Sequence, residues 1–161
     1  NRIGLEWRPE IGRHAEGDTF LSPKYSKEAV VLVGLKKEKY LSGLKVSNLK
    51  SESIRLAIKD IRKEISFDTL TLDNGIENRE HEQFGVETYF CDPHAPWQKG
   101  FIEGSIGLIR RWFIPKGTDL KSVSQEQLDS YLEILNNKNR KSLGYRSSLE
   151  LMGKRDIIKR Y

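Results

Sequence analysis

Cysteine is nearly missing from this sequence: Cys91 is the single one in 161 residues. That excludes an intrachain disulfide and any cysteine-based zinc cluster. The three histidines, His14, His81 and His94, are scattered and lack the close pairing of a two-histidine metal site. Long apolar runs are missing too. The longest, Ala29 to Val33, is strand-sized, far short of the roughly 18 residues a membrane helix requires. The first residues, Asn-Arg-Ile-Gly, carry no apolar leader and no initiator Met, so the chain is expected to be a piece of a longer cytoplasmic protein. No internal repeat and no low-complexity tract is present.

What remains is the composition of a soluble single domain, 37% hydrophobic and 32% charged. The net charge of +5 is unevenly placed. Eight basic residues against Glu150 and Asp156 give the stretch from Lys138 to Tyr161 a charge of +6, leaving −1 for all that precedes it. A near-neutral body with a basic end suits a polyanionic partner, and equally suits a solvated Lys- and Arg-rich helix.

Periodicity gives the order of elements. Asp18 to Leu21, Ala29 to Val33 and Tyr40 to Val46 read as three strands of an antiparallel meander. A helix follows over about Ser51 to Ile65, with Ile54, Ala57, Ile58, Ile61 and Ile65 on one stripe and Arg55, Lys59, Arg62 and Lys63 on a solvated face. Phe67 to Asp73 alternates as a strand and stops at Asn74-Gly75, a turn signal. Val86 to Cys91 reads as another strand. A helix from about Gln98 to Phe113 buries Ile102, Ile106, Ile109 and Phe113. A last helix starts at a Ser124-x-x-Gln127 capping box and buries Leu128, Tyr131, Leu132 and Leu135. Three strands followed by crossovers fit an α/β, ribonuclease H-like mixed sheet flanked by helices.

Phosphodiester chemistry on such a sheet requires a few carboxylates from separate elements, because hard oxygen ligands hold the divalent ions that neutralise charge on the attacking and leaving oxygens. With 23 acidic residues, context must choose. Asp18 stands where the first strand begins and Asp73 closes the Leu70-Thr-Leu strand, with Gly17 and Gly75 leaving space beside them. Each also fits a turn or cap aspartate. Glu103 lies one turn into the next helix, on a face shared with Gly107 and Arg110 and distinct from the isoleucine stripe. Gly104 and Gly107 weaken that helix, so something is expected to approach it closely: substrate, or a neighbouring strand.

Five motifs in order carry a resemblance over about Ile11 to Met152. They are GRHAEGDT from Gly12 to Thr19, TLTLDNG from Thr69 to Gly75, YFCDPHAPWQKG from Tyr89 to Gly100, FIPKGTDL from Phe113 to Leu120 and LNNKNRKSLGY from Leu135 to Tyr145. Together they resemble the integrase core of transposases of the IS-thirty family of bacterial insertion sequences. The resemblance implies a fold of the retroviral integrase superfamily and a DDE triad at Asp18, Asp73 and Glu103 that binds two Mg²⁺ or Mn²⁺ ions. Residues 1–161 would form a single catalytic domain, with the family's helix-turn-helix reader upstream. The implied partners are DNA, as element ends and target, and further copies of the chain assembled on it, in a bacterial cytoplasm at the nucleoid rather than at a membrane. Arg110 falls where such enzymes keep a basic residue near DNA. Trp97, Lys99, Lys138, Arg140 and Lys141 are the other candidate DNA contacts, Trp97 by stacking on a base or else by pinning its segment to the core. Ala15 replaces the family's usual Trp, Ile114 interrupts its Phe-Pro-Lys-Gly run, and the gap between Asp73 and Glu103 is short between Glu77 and Val86. The implied reaction is DNA end cleavage and strand transfer. Two rivals stay open: a ribonuclease H-like nuclease without strand transfer, and a silent DNA-binding remnant. Cys91, with no base partner in view, is expected to pack.

Overall fold

A computed structural model describes residues 12–73, 78–91 and 96–153, apart from the side chains of Pro96 and Trp97. Five strands form one mixed sheet: β1 (His14–Leu21), β2 (Ala29–Leu35), β3 (Leu41–Val46), β4 (Thr69–Leu72) and β5 (Glu87–Phe90), in the order β3-β2-β1-β4-β5. β1, β2 and β3 are the antiparallel meander that the sequence predicts. β4 and β5 then add parallel to β1, each after a crossover. The helices are α1 (Ser51–Glu64), α2 (Gly100–Trp112), α3 (Gln125–Asn136) and a short α4 (Ser148–Met152).

β2 is buried along its whole length, as its unbroken apolar run requires of a central strand covered on both faces. Val31, Val33 and Leu35 join Ile54, Ile58, Ile61 and Ile65 in one core on the α1 side. Val30 and Leu32 point the other way, into a second core with Ile102, Ile109, Leu128, Leu132 and Leu135 of α2 and α3. The sheet is therefore the middle of three layers.

α3 also closes the β3 edge. Gln125 accepts from the Lys45 amide and donates to the Gly43 carbonyl, while Asn136 exchanges both bonds with Leu41. These two amide side chains act as a surrogate neighbouring strand for groups otherwise left open at an edge. The expected capping box is present, with Ser124 and Gln127 satisfying each other's backbone amides.

Three local expectations change. β1 begins at His14, so Asp18 sits inside the strand rather than at its start. Arg55 and Arg62 are not simply solvated: Arg55 pairs with Glu80 at 2.8 Å and Arg62 reaches the Phe84 carbonyl, fastening the 78–86 segment onto α1. The chain after Asn139 forms a two-stranded ribbon, β6 (Asn139–Arg140) with β7 (Arg146–Ser147), around a left-handed turn at Gly144 and Tyr145. Among the described residues no helix is long and apolar enough to cross a membrane.

Candidate active site

Alternation along β1 sends Glu16, Asp18 and Phe20 toward α2 and Ala15 toward α1. Asp18 and the end of β4 lie side by side because β1 and β4 are parallel neighbours, with Glu16 opposite Thr71. Asp73, the first residue past β4, follows directly. Its carbonyl accepts from Asn78 Nδ2 at 2.8 Å.

Asp18 and Asp73 meet on one ammonium. Lys99 Nζ lies 3.1 Å from Asp18 Oδ2 and 3.0 Å from Asp73 Oδ1, and donates to the Gly17 carbonyl at 3.3 Å. The two carboxylate oxygens thus stand within about 6 Å of each other. Lys99 is only 2% exposed, a burial that lysine tolerates when its charge is paired. Burial pulls its pKa down, but the attraction of Asp18 and the hydrogen bond and charge of Asp73 outweigh that, and the net direction is upward. Asp18 Oδ1 is held by the Thr19 amide at 2.8 Å.

Glu103 stands in the first turn of α2, exposed, four residues beyond Lys99. Its charge, like that of Asp73 and Glu16, acts on the Cys91 thiol. Among the described residues, no three of His, Cys, Asp and Glu are close enough to hold a metal ion, so Glu103 is not gathered onto the Asp18–Asp73 pair here. Cys91, just past β5, is pushed up to about 11, chiefly by burial, and stays a thiol at neutral pH.

Glu16 carries no signal of a site role in the sequence, because a lone acid ahead of an apolar run reads as a pre-strand residue. It is 3% exposed, and its Oε1 accepts from the Ile102 amide at 3.0 Å, anchoring the start of α2 to β1. Burial raises its pKa, partly offset by the Ile102 hydrogen bond and by Lys36, Lys39 and Lys99. Gly17 does not make room for the carboxylate: a Cβ there would sit 2.7 Å from Leu72 Cδ2, so its role is close packing of β1 on β4. Gly104 and Gly107 are different. Among the described residues a Cβ on either meets nothing within 4 Å, so none of the described strands explains them.

The candidate DNA contacts divide. Lys99 is turned inward, its ammonium committed to three oxygens of the chain, and offers nothing to an outside phosphate in this arrangement. Arg110 also works within the fold. It donates to the carbonyls of Leu21 at 2.6 Å and of Ile114 and Pro115 at 3.4 Å, and lies over the Phe20 ring. Arg140 is half-buried over the Phe101 ring, its buried Nε and Nη2 without a hydrogen-bond partner among the described residues. Lys138 and Lys141 are exposed. The Trp97 side chain, His94, Gly75 and the basic residues from Lys154 to Arg160 lie outside the described residues.

No protein-family model matches the chain. Known relatives do. The chain is 36% identical over 160 residues to the InsI transposase of insertion sequence element IS30C from Escherichia coli strain K12, covering 92% of this chain and 39% of that protein. It is 47% identical over 88 residues to the transposase of IS1086 from Cupriavidus metallidurans, covering 52% of this chain and 26% of that protein. A third relative, the transposase of IS4351 from Bacteroides fragilis, is 32% identical over 156 residues, covering 89% of this chain and 47% of that protein. The chain thus spans less than half the length of these relatives. Among solved structures, the catalytic core of BIV integrase superposes with a TM-score of 0.65 at 15% identity, covering 86% of this chain and 91% of that one. A chain of the simian T-cell lymphotropic virus intasome, solved in complex with the PP2A regulatory subunit B56 gamma, gives 0.70 at 14% identity over 92% of this chain and 58% of that one. The fold is that of the integrase catalytic core, ribonuclease H-like, and over nine-tenths of its length the chain is a homologue of IS30-family transposases.

Proposed function

We propose that this chain is the catalytic core of a DDE transposase, a polynucleotidyl transferase that cleaves the ends of an insertion element and joins them to target DNA. One observation carries the reading: Asp18 on central strand β1 and Asp73 just past the neighbouring strand β4, far apart in sequence, converge on a single buried cation. The identity to element transposases supports the substrate class.

The donor set fits a hard divalent ion, Mg²⁺ or Mn²⁺. Asp18 on β1 and Asp73 just past β4 already share one cation, and Glu103 is an exposed acid with no ion pair among the described residues, on the helix that starts beside them. Such ions, as a pair, neutralise charge on the attacking and leaving oxygens of a phosphodiester. Asp18 and Asp73 would hold the ion between them, and Glu103 would supply the third carboxylate. Glu16 keeps α2, and so Glu103, in register with Asp18. The open face at Gly104 and Gly107 leaves room for the DNA backbone beside Glu103. The freed 3′ hydroxyl of the element end would then attack target DNA. Further copies of the chain would assemble on that DNA, as the intasome neighbour suggests.

The test is a strand-transfer assay with pre-cleaved element ends, run with the Asp73→Asn variant alongside. Joined product from the wild type and none from the variant is the expected result. Nicking without joining would make the protein a nuclease of the same fold, and DNA binding without either would make it a silent remnant.

A further inference from the structure

We infer that Lys99 is a built-in counter-ion of the catalytic acids, a positioning residue that holds Asp18 and Asp73 together and competes with a divalent cation for the same two carboxylates. The inference rests on the metal-dependent reading of the site given above.

Both carboxylates direct an oxygen at the Lys99 ammonium, so an ion bonded to the same two oxygens would occupy the volume that Nζ fills. Mg²⁺ sits roughly 2.0–2.1 Å from its ligands, closer than the ammonium does, and the two positive centres cannot share that space. The ammonium is not there by accident of a flexible surface chain. It is buried, its third bond goes to the Gly17 carbonyl, and its Cα lies at the N-cap of α2, immediately before the first helical residue. Without it, two carboxylates within about 6 Å of each other would repel. Lys99 therefore does two opposing things. It prepays the convergence of Asp18 and Asp73, and it raises the concentration of divalent ion needed to load them.

Calorimetric titration of Mn²⁺ into the wild-type protein, Lys99→Met, Lys99→Gln and Asp73→Asn separates these effects, together with melting curves in chelator and in Mn²⁺. Met keeps the apolar stem without the charge, and Gln keeps N–H donors for the Gly17 carbonyl. The expected result is Mn²⁺ affinity raised about tenfold or more in both Lys99 variants. It comes with a lower melting temperature than wild type in chelator, and a larger rise on adding Mn²⁺. If Lys99→Met fails to fold, the Lys99→Gln affinity alone decides. Affinity within about twofold of wild type, or weaker, with binding abolished in Asp73→Asn, would overturn the counter-ion role while leaving the metal site standing. Unchanged binding in Asp73→Asn would remove the Asp18–Asp73 pair as the cation site, and both readings with it.

Discussion

Glu16 Oε1 accepts the Ile102 amide at 3.0 Å, joining the middle of β1 to the first turn of the helix that bears Glu103. Lys99 is the N-cap of α2 but supplies no capping side-chain bond, so Glu16 takes one of the orphan amides instead. Glu16→Ala leaves a buried N–H unsatisfied and is expected to cost about 1–3 kcal/mol. Strand transfer should fall with it, because Glu103 loses its register to Asp18. Glu16→Gln retains an acceptor and should keep most of both. Chemical denaturation and strand transfer on the two variants check this; equal effects from Ala and Gln would show that the hydrogen bond is not what matters.

Gly104 and Gly107 carry a prediction of opposite signs. Neither glycine is needed for packing among the described residues, where an added Cβ meets nothing within 4 Å. Alanine at each should therefore stabilise the protein by up to about 1 kcal/mol per site through helix propensity. If DNA lies against this face, the same substitutions should weaken DNA binding and strand transfer. A double variant that melts higher and transfers strands as well as wild type would leave the glycines without a role at the substrate.

His14 makes stability depend on pH near neutrality. Its pKa lies below the ordinary imidazole value because burial disfavours the charged ring and Lys36 repels it, with Asp68 pulling weakly the other way. The folded state then binds fewer protons than the unfolded one, so the contribution is complete above about pH 6.5 and is lost as pH falls through the depressed value. Urea midpoints at about pH 7.5 and about pH 5.5 should show a loss in the wild type that His14→Gln reduces. An identical loss in both would place the acid sensitivity elsewhere.

Arg110 and the ribbon lysines should separate in a salt titration. Arg110 spends its donors on Leu21, Ile114 and Pro115, so Arg110→Ala is expected to lower melting temperature while leaving the salt dependence of DNA binding nearly unchanged. Lys138 and Lys141 face solvent, and removing both should flatten the log–log salt slope by about 2. A slope that changes with Arg110 and not with the lysines would reverse this division.

The five strands of the main sheet and the three long helices were legible because each rests on local signals. The unbroken run of β2, the isoleucine stripe of α1 and the Ser124–Gln127 box need no distant partner to be read. Lys99 was not legible as a buried group. A lysine before a glycine at a helix start reads as surface, and only the meeting of β1 with β4 supplies the two aspartates that make its burial tolerable. Glu16 failed for the same reason, its partner being an amide on α2. Helical spacing puts Arg110 on the Glu103 face and the family resemblance puts it near DNA, but neither speaks of the carbonyls at the end of β1 and beyond α2 that its guanidinium reaches. The β6–β7 ribbon is two residues a side, too short for alternation to show.

The central claim is that Asp18, Asp73 and Glu103 act as one metal-binding set, and anomalous diffraction from crystals grown in Mn²⁺ tests it most directly. The expected result is a Mn²⁺ peak within about 2.0–2.3 Å of oxygens from Asp18 and Asp73, with the Glu103 carboxylate turned from solvent onto the same cluster. A peak held without either aspartate, or a fully occupied site with Glu103 still pointing into solvent, would contradict the assignment.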